Sequence, residues 1–434
     1  MVAVAGDGVL FEMDPVVQTG AAAEPAPVDK TFRPYDPHQV FLLPPSLDDW
    51  LPEGHLAHFV SELVEEVLDL DPFLASYTEA RGFPPYDPRL LLKLLIYGYV
   101  TGVRSSRAIE RRCHDDVAFR FLAANAAPDF RSVARFRRRH LEALKALFVQ
   151  ALGLCRRAGM VRLGRVALDG SKVRANASRR KSMSYQRMKE REVDLQRQVD
   201  NLVAEAARRA AATAAERARR RGAADDVATA ADEAAADATP DDKAQRNFTD
   251  PDSRIMKTAD GSFHQCYNAQ TVVDDAHQVI VATRLTNSAA DNPAFTVMLD
   301  DTIANVGRPR QLLADAGYFS EDNVAAAAER DVDALIATGR MKHNETPPPA
   351  PRGRIPNDAT VKQRMARKLR TKKGRAAYAR RKAIVEPVFG QIDTLQGGKR
   401  LLLRGSDAAE AEWVFMAACH NLRKLFGTAG FATG

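Results

Sequence analysis

Cysteine is scarce in this sequence, with four residues among 434. Cys113, Cys155, Cys266 and Cys419 lie far apart and include no Cys-x-x-Cys pair. This spacing argues against both a disulfide framework and a cysteine-bound zinc site. We therefore expect a protein of a reducing compartment, the cytoplasm.

Long apolar runs are also missing. No segment approaches the roughly 20 apolar residues that a membrane-spanning helix needs. The opening stretch MVAVAGDGVLFEMDP has no basic start and gains acids early, so it does not resemble a secretory signal. The apolar fraction of 45% and the charged fraction of 27% are ordinary for a folded, water-soluble chain. Its length allows two or three domains with cores of their own.

Acidic residues are absent from one segment, residues 361–382, which holds eleven Lys or Arg. A solvated basic surface is the simplest interpretation of such a run. Eleven cations without a neutralising acid repel one another, however, and bound phosphates would remove that repulsion. Together with the net charge of +7, the segment indicates a nucleic-acid partner.

The chain divides into regions of different composition. Residues 1–35 are rich in Ala, Gly and Pro, which predicts a disordered arm. Residues 36–158 repeat apolar side chains at three- and four-residue steps, which predicts a helical N-terminal domain, and DNA binding is expected of it from its two basic helices. Residues 159–430 combine strand and helix patterns. Within them, residues 185–246 are rich in Ala, Arg and Glu, and we interpret them as an inserted helical hairpin.

Two short helices are predicted in the N-terminal region, each opened by a serine, at residues 105–112 and 132–140. A serine cap ahead of a basic first turn is typical of helices that contact DNA phosphates. Arg137 and Arg138 in the second helix are therefore candidates for DNA binding. They fit equally well on the solvated face of an ordinary helix.

Residues 159–430 predict a mixed α/β sheet. One strand precedes the insertion, two more flank a turn at residues 274–277, and helices then alternate with strands. The apolar runs VALD and LLAD end in Asp169 and Asp315. Functional groups of such sheets gather at the carboxyl ends of strands. This repetition favours a metal ligand at Asp169 over a simple turn residue, which remains the alternative.

Glu386 lies in the apolar stretch KAIVEPVFG. Burying an acid there costs several kcal/mol unless it is compensated. Ligation of Mg²⁺ shared with Asp169 and Asp315 would compensate it, since Mg²⁺ prefers oxygen ligands. Two ions about 3.5–4 Å apart would activate a water or hydroxyl and stabilise the leaving oxygen of a phosphodiester. The alternative is an ion pair of Glu386 with Arg381 or Lys382.

Five motifs in order resemble those of the DDE transposases of bacterial insertion sequences: LDGSKVRANAS, TDPDSRIMK, YNAQTVV, LLADAGYFS and YARRKAIVEPVFGQI. The stretches LLPPSLDDWLPEGHLAHFV and RSVARFRRRH are similar to the N-terminal domain of that family. The resemblance covers most of residues 36–428. It implies an RNase H-like catalytic core that cuts and joins DNA, with two Mg²⁺ or Mn²⁺ ions held by Asp169, Asp315 and Glu386.

These transposases often carry a Tyr-x2-Arg-x3-Glu-x6-Lys signature around the glutamate. Tyr378 and Arg381 match its first spacing, but four residues separate Arg381 from Glu386. Lys382 is the basic residue at the expected distance, and Asp393 stands where the family has its lysine. DNA contacts are expected for the basic and aromatic residues around the acids, which are Lys172, Arg174, Tyr378, Arg381 and Lys382.

These patterns predict a cytoplasmic, nucleoid-associated transposase without membrane contact. It would cleave DNA at the terminal inverted repeats of an insertion sequence and transfer the strand into target DNA. Two ends must be held at once, so a homodimer in the synaptic complex is expected. Two alternatives remain open: a nuclease of the same fold without strand transfer, and a DNA-binding remnant without catalysis.

Overall fold

The computed structural model describes residues 3–4, 8–9, 32–35, 46–78, 84–178, 181–189, 192–220, 244–339, 349 and 352–428. The arm predicted at residues 1–35 lies largely outside them. Within it, Ala3–Val4 (β1) pairs antiparallel with Gly8–Val9 (β2). None of the helices in the described ranges combines the length and the apolar character that crossing a bilayer requires.

Helices fill the described chain from Leu47 to Arg157. After a 3-10 turn at Leu47–Trp50, they are Leu56–Glu62 (α1, continued by a π turn at Leu63–Val67), Asp71–Leu74 (α2), Pro88–Thr101 (α3), Ser106–Asp115 (α4), Val117–Leu122 (α5), Phe130–Arg139 (α6) and Leu141–Arg157 (α7). Twelve of the 14 residues of α3 are buried, and α1, α5 and α6 pack against it.

The ends of two of these helices show how they begin. At the start of α3, Asp87 accepts a hydrogen bond from the amide of Arg89 at 2.8 Å and Pro88 follows it. The prediction that a serine opens α6 is wrong. The helix starts at Phe130, and the carboxylate of Asp129 accepts two free amides of the first turn, at 2.8 and 3.1 Å.

The insertion follows Arg165–Arg174 (β3) and is described in part. It contains Tyr185–Lys189 (α8) and Glu192–Arg220 (α9). Ser182–Ser184 (β4) and Gln245–Asn247 (β5) pair antiparallel and close its base. The return arm of the predicted hairpin falls on residues 221–243, outside the described residues.

A six-stranded mixed sheet forms the body of the C-terminal region. Its remaining strands are Arg254–Lys257 (β6), Phe263–Asp274 (β7), Ile280–Thr286 (β8), Gln311–Ala314 (β9) and Asp333–Ile336 (β10). The order is β10-β9-β3-β7, with β6 and β8 both pairing to the far edge of β7. β10, β9 and β3 run parallel, and β7 is antiparallel to β3. The mixed α/β sheet and the hairpin around residues 274–277 are therefore confirmed.

In the described part of the C-terminal region, the helices that accompany this sheet are Phe295–Val306 (α10), Glu321–Glu329 (α11), Val361–Arg370 (α12), Lys372–Leu395 (α13) and Ser406–Thr428 (α14). The last of them, α14, packs against α7, α3 and β8. Its Trp413 is 1% exposed and donates a hydrogen bond to Thr283 Oγ1 at 2.7 Å, so this side chain belongs to the core. One hydrophobic cluster runs from the N-terminal helices through α14 into the sheet.

A buried ion pair ties α14 to the N-terminal helices. Arg104 Nη1 lies 3.1 Å from Glu412 Oε1, and these side chains are 7% and 0% exposed. Glu412 Oε2 also accepts the amides of Leu402 and Leu403, at 2.7 and 2.8 Å. Each hydrogen bond offsets part of the desolvation of the carboxylate.

Replacing Glu412 by Gln is expected to lower the free energy of unfolding by about 3 kcal/mol, because Arg104 would stay buried without its counter-charge. Urea unfolding measures this change. Glu410→Gln on the same helix, where the side chain is only half-buried, serves as the control. Equal losses for the two variants would contradict the assignment.

Candidate functional site

Asp169 and Asp315 lie side by side at the level where β9 ends. β3 and β9 run parallel with Leu168 opposite Ala314, so the next residue of each chain segment is an acid. The register of the two strands therefore brings together the two carboxylates that were predicted to meet.

The backbone beyond each of the two acids takes a different course. Asp315 ends its strand as predicted and accepts a hydrogen bond from the amide of Gly317 at 2.7 Å. Asp169 does not end its strand, because β3 continues to Arg174 in antiparallel pairing with β7. The prediction of a strand end at Asp169 is wrong in this respect, and a simple turn at this residue is excluded.

The carboxylate of Asp169 forms an ion pair with the guanidinium of Arg381. Arg381 Nη1 donates to its Oδ2 at 2.7 Å, and the amide of Gly170 donates to its Oδ1 at 2.9 Å. The side chains of Asp169 and Arg381 are 21% and 12% exposed. Burial raises the pKa of Asp169 above its ordinary value. Arg381 opposes this shift, and the negative charge of Asp315 adds to it.

Helix α13 delivers Arg381 to the sheet. Its buried face of Ile384, Val385 and Val388 packs into the core. Pro387 lies inside this helix and lacks the amide that would bond to the carbonyl of residue 383. Gln278 Nε2 donates to that carbonyl, on Ala383, at 3.0 Å. The hairpin loop after β7 thus supports the helix two residues beyond Arg381.

Glu386 is exposed, so the prediction that its carboxylate is embedded in apolar surroundings is wrong. Helical periodicity gives the reason: Ile384, Val385 and Val388 turn inward, and Glu386 between them turns to solvent. Among the residues that the structure describes, no group of three or more His, Cys, Asp or Glu is arranged to hold a metal ion. The three predicted acids therefore do not form one cluster in this arrangement.

A hydrogen-bonded network around Asp291 lies beside the acid pair and was not predicted. Asp291 Oδ1 accepts from Lys172 Nζ at 3.0 Å, from Asn268 Nδ2 at 2.7 Å and from Gln270 Nε2 at 2.9 Å. The hydroxyl of Tyr318 donates to Gln270 Oε1. The only signal for Asp291 in the sequence is its place before the Asn-Pro entry of the following helix.

This network explains why residue 170 is a glycine. A Cβ at this position would lie 2.6 Å from Gln270 Nε2, 2.8 Å from Asp291 Oδ1 and 3.1 Å from Asn268 Oδ1. The space above Gly170 is therefore filled by protein side chains. The glycine permits their close approach to the strand that carries Asp169.

Tyr318 connects the network to the acids. Its ring is fully buried, and burial raises the pKa of its hydroxyl well above the ordinary value. The charges of Asp291, Asp169 and Asp315 raise it further, in that order. The three carboxylates therefore lie close enough to act on one hydroxyl group.

Asp169 and Asp315 are the residues that fit a divalent cation. Both supply carboxylate oxygens, the ligands that hard cations prefer. The guanidinium on Asp169 shows that a positive charge is accommodated there. Asp291 Oδ2 and Asp315 Oδ1 lie 3.1 and 3.0 Å from the point where a Cβ of Gly317 would be, so a further carboxylate oxygen is near.

The predicted DNA contacts divide into three groups. Arg137 is only 4% exposed and donates to Tyr99, to the carbonyl of Arg104 and to Ser106, so its assignment to DNA is wrong. Its guanidinium holds helices together. Paired side chains form the second group: Lys172 with Asp291, Arg174 with Asp260, and Arg381 with Asp169. Arg138 and Lys382 are exposed, and Tyr378 is half-buried beside Arg381.

The acid-free segment at residues 361–382 forms α12 and the start of α13. Thr360 caps α12 through reciprocal hydrogen bonds with Gln363. Lys362, Arg364, Lys372 and the cations that follow on α13 are mostly exposed. The same helix that places Arg381 at Asp169 therefore presents a basic surface to solvent.

Two family models match the chain. A transposase domain (DUF772) matches residues 45–139, and a transposase DDE domain matches residues 230–422. Asp315 and Glu386 lie within the second range, whereas Asp169 lies between the two. No curated protein and no solved structure matches the chain.

Gly170→Ala is expected to lower the free energy of unfolding by about 1–3 kcal/mol, because the added methyl group displaces Gln270 and Asp291. Urea unfolding measures the effect. Gly164→Ala is the matched control, since nothing lies within 4 Å of its Cβ position. A loss of the same size at Gly164 would show that the network is not responsible.

Proposed function

The chain is a DDE transposase of the insertion-sequence type, and we propose that it cuts DNA at the ends of its element and joins the exposed 3′-hydroxyls to target DNA. The observation that carries this proposal is the register of β3 and β9, which sets Asp169 beside Asp315. The reacting phosphodiester would lie at this edge of the sheet.

We propose an RNase H-like catalytic domain over residues 159–430 and a helical DNA-binding domain over residues 36–158. Support for the first is the mixed sheet with β3 at its centre and α13 against it. Support for the second is the run of helices from α1 to α7. The two regions share one hydrophobic core through α14, so we expect them to move as one body.

DDE transposases use divalent metal ions, and for this chain we propose two Mg²⁺ or Mn²⁺ ions at Asp169, Asp315 and Glu386. Bound there, such ions polarise the phosphodiester and lower the pKa of the attacking water or 3′-hydroxyl. Asp169 on β3 and Asp315 directly after β9 would supply carboxylate oxygens. Glu386 is on the helix that carries Arg381, and its exposed carboxylate is free to face the substrate.

The side chains around the acids would bind the DNA backbone. Lys382 follows Arg381, which contacts Asp169, and most of the other cations of residues 361–382 are exposed. Each phosphate that they neutralise releases counterions, so binding is expected to weaken steeply with salt. Arg138 offers a further contact on the N-terminal helices, and Lys172 and Arg174 lie along β3.

We further propose that a homodimer holds the two element ends, since both must be cut and joined to one target. Two copies of the chain would bring two acid pairs and two basic helices together. The described part of α9 is docked on the body through Glu205, which pairs with Arg254, and the helix runs on beyond it. We propose this insertion as a contact to the second copy or to DNA.

Labelled DNA carrying the inverted repeats that flank the gene, incubated with Mg²⁺, tests this function. Asp169→Asn, Asp315→Asn and Glu386→Gln are each expected to slow cleavage by about a thousandfold or more while DNA binding persists. Glu329→Gln is the control, because this carboxylate is 74% exposed on α11 and lies outside the proposed site.

Three product patterns separate the alternatives. Joined products support strand transfer, nicked products alone indicate a nuclease, and binding alone indicates a remnant without catalysis. Normal cleavage by Asp169→Asn or Asp315→Asn would contradict the catalytic assignment. Normal cleavage by Glu386→Gln, together with loss in Asp291→Asn, would move the third carboxylate to Asp291.

A further inference from the structure

The positive charge next to Asp169 in this structure is a side chain of the protein, Arg381. Arg381 reaches from α13 to the strand, and its Nη1 lies 2.7 Å from Asp169 Oδ2. A divalent cation proposed for Asp169 needs the same carboxylate oxygens. Because both charges are positive and the space is shared, the guanidinium and the metal ion compete for this acid.

Arg381 is held at Asp169 by charge more than by a full set of hydrogen bonds. Its Nε is buried without a hydrogen-bond partner. Five donors make arginine suited to planar, paired contacts with carboxylate or phosphate oxygens. In the present contact Nη1 bonds Asp169 and Nε bonds nothing, and the guanidinium also acts on the hydroxyl of Tyr378, so part of its donor set is unused.

The position of Arg381 on α13 determines which anions its side chain can reach. On α13, the exposed Lys382, Arg380 and Arg375 belong to the basic surface proposed for DNA. The same helix places Arg381 at Asp169. A phosphate bound on this surface would lie within the reach of a long, flexible side chain at its edge. Arg381 thus stands between two anionic partners, a carboxylate of the protein and a phosphate of the substrate.

We propose that Arg381 is the resident counter-cation of Asp169, that it leaves this carboxylate when a divalent cation binds there, and that it then pairs with a DNA phosphate. The inference rests on the proposed metal-dependent function. Arg381 is in this account a positioning residue. Before the substrate binds, its positive charge offsets part of the negative charge of Asp169 and Asp315. Its exchange of partners links metal binding to DNA binding.

Mn²⁺ titration of the DNA-free full chain, followed by the electron paramagnetic resonance of free Mn²⁺, tests the competition. Arg381→Gln is expected to bind Mn²⁺ about tenfold more tightly than the wild type. Arg284→Gln is the control, because its exposed guanidinium pairs with Asp301 and belongs neither to the proposed metal site nor to the basic surface of residues 361–382. Its Mn²⁺ affinity is expected to equal that of the wild type.

Two outcomes separate this inference from the function on which it rests. If Asp169→Asn weakens Mn²⁺ binding but Arg381→Gln does not tighten it, the competition is refuted and the metal site stands. If Asp169→Asn leaves Mn²⁺ binding unchanged in both the wild type and the Arg381→Gln background, the metal site itself is refuted. Arg381→Lys, which keeps the cation without the planar fork, covers the case in which Arg381→Gln folds poorly. Its affinity is expected to rise about threefold, and an affinity at or below the wild type would refute the competition.

The salt dependence of DNA binding tests the second half of the exchange. With Ca²⁺ present, Arg381→Gln is expected to flatten the slope of log K against log salt by about 0.9, the value of one phosphate contact. In EDTA the wild type and the variant are expected to share one slope, because Arg381 then remains on Asp169. A change of slope in EDTA as large as in Ca²⁺ would refute the exchange.

Discussion

Repulsion between two neighbouring carboxylates is the constraint around which this structure is arranged. Asp169 and Asp315 are placed side by side by the parallel register of β3 and β9, and Asp169 is largely withdrawn from water. Each carboxylate in such a position favours protonation of the other unless a cation lies between or beside them. Arg381 supplies that cation to Asp169 in the structure. The proposed metal ion would be a second one.

The remainder of the fold keeps the two acids and the arginine in place. Inside α13, the carbonyl left open by Pro387 is bonded by Gln278. Helix α14 packs on both the N-terminal helices and the sheet, and Glu412 fixes that junction through Arg104. On the sheet, Asp291 accepts hydrogen bonds from Lys172, Asn268 and Gln270 beside Gly170. These contacts hold the carboxylates of Asp169 and Asp315 in fixed positions. Fixed carboxylates suit the proposed reaction, in which a 3′-hydroxyl must be aligned with a phosphodiester.

Much of this arrangement could be predicted from sequence, and the failures have separate causes. Apolar runs located the strands, and the acid that follows each of the runs VAL and LLA located Asp169 and Asp315. Glu386 was expected inside because the stretch around it is apolar, but helical periodicity turns it to solvent, whereas Arg137 was expected outside and is 4% exposed. Asp291 escaped notice because its partners lie about 20 and 120 residues away along the chain and meet it only through strand pairing.

Diffraction from crystals soaked in Mn²⁺, recorded at the manganese absorption edge, tests the central claim most directly. The account predicts an anomalous peak in contact with the carboxylates of Asp169 and Asp315, with the guanidinium of Arg381 turned away from Asp169. A peak at a distance from both acids, or full Mn²⁺ occupancy with Arg381 still bonded to Asp169, would contradict it.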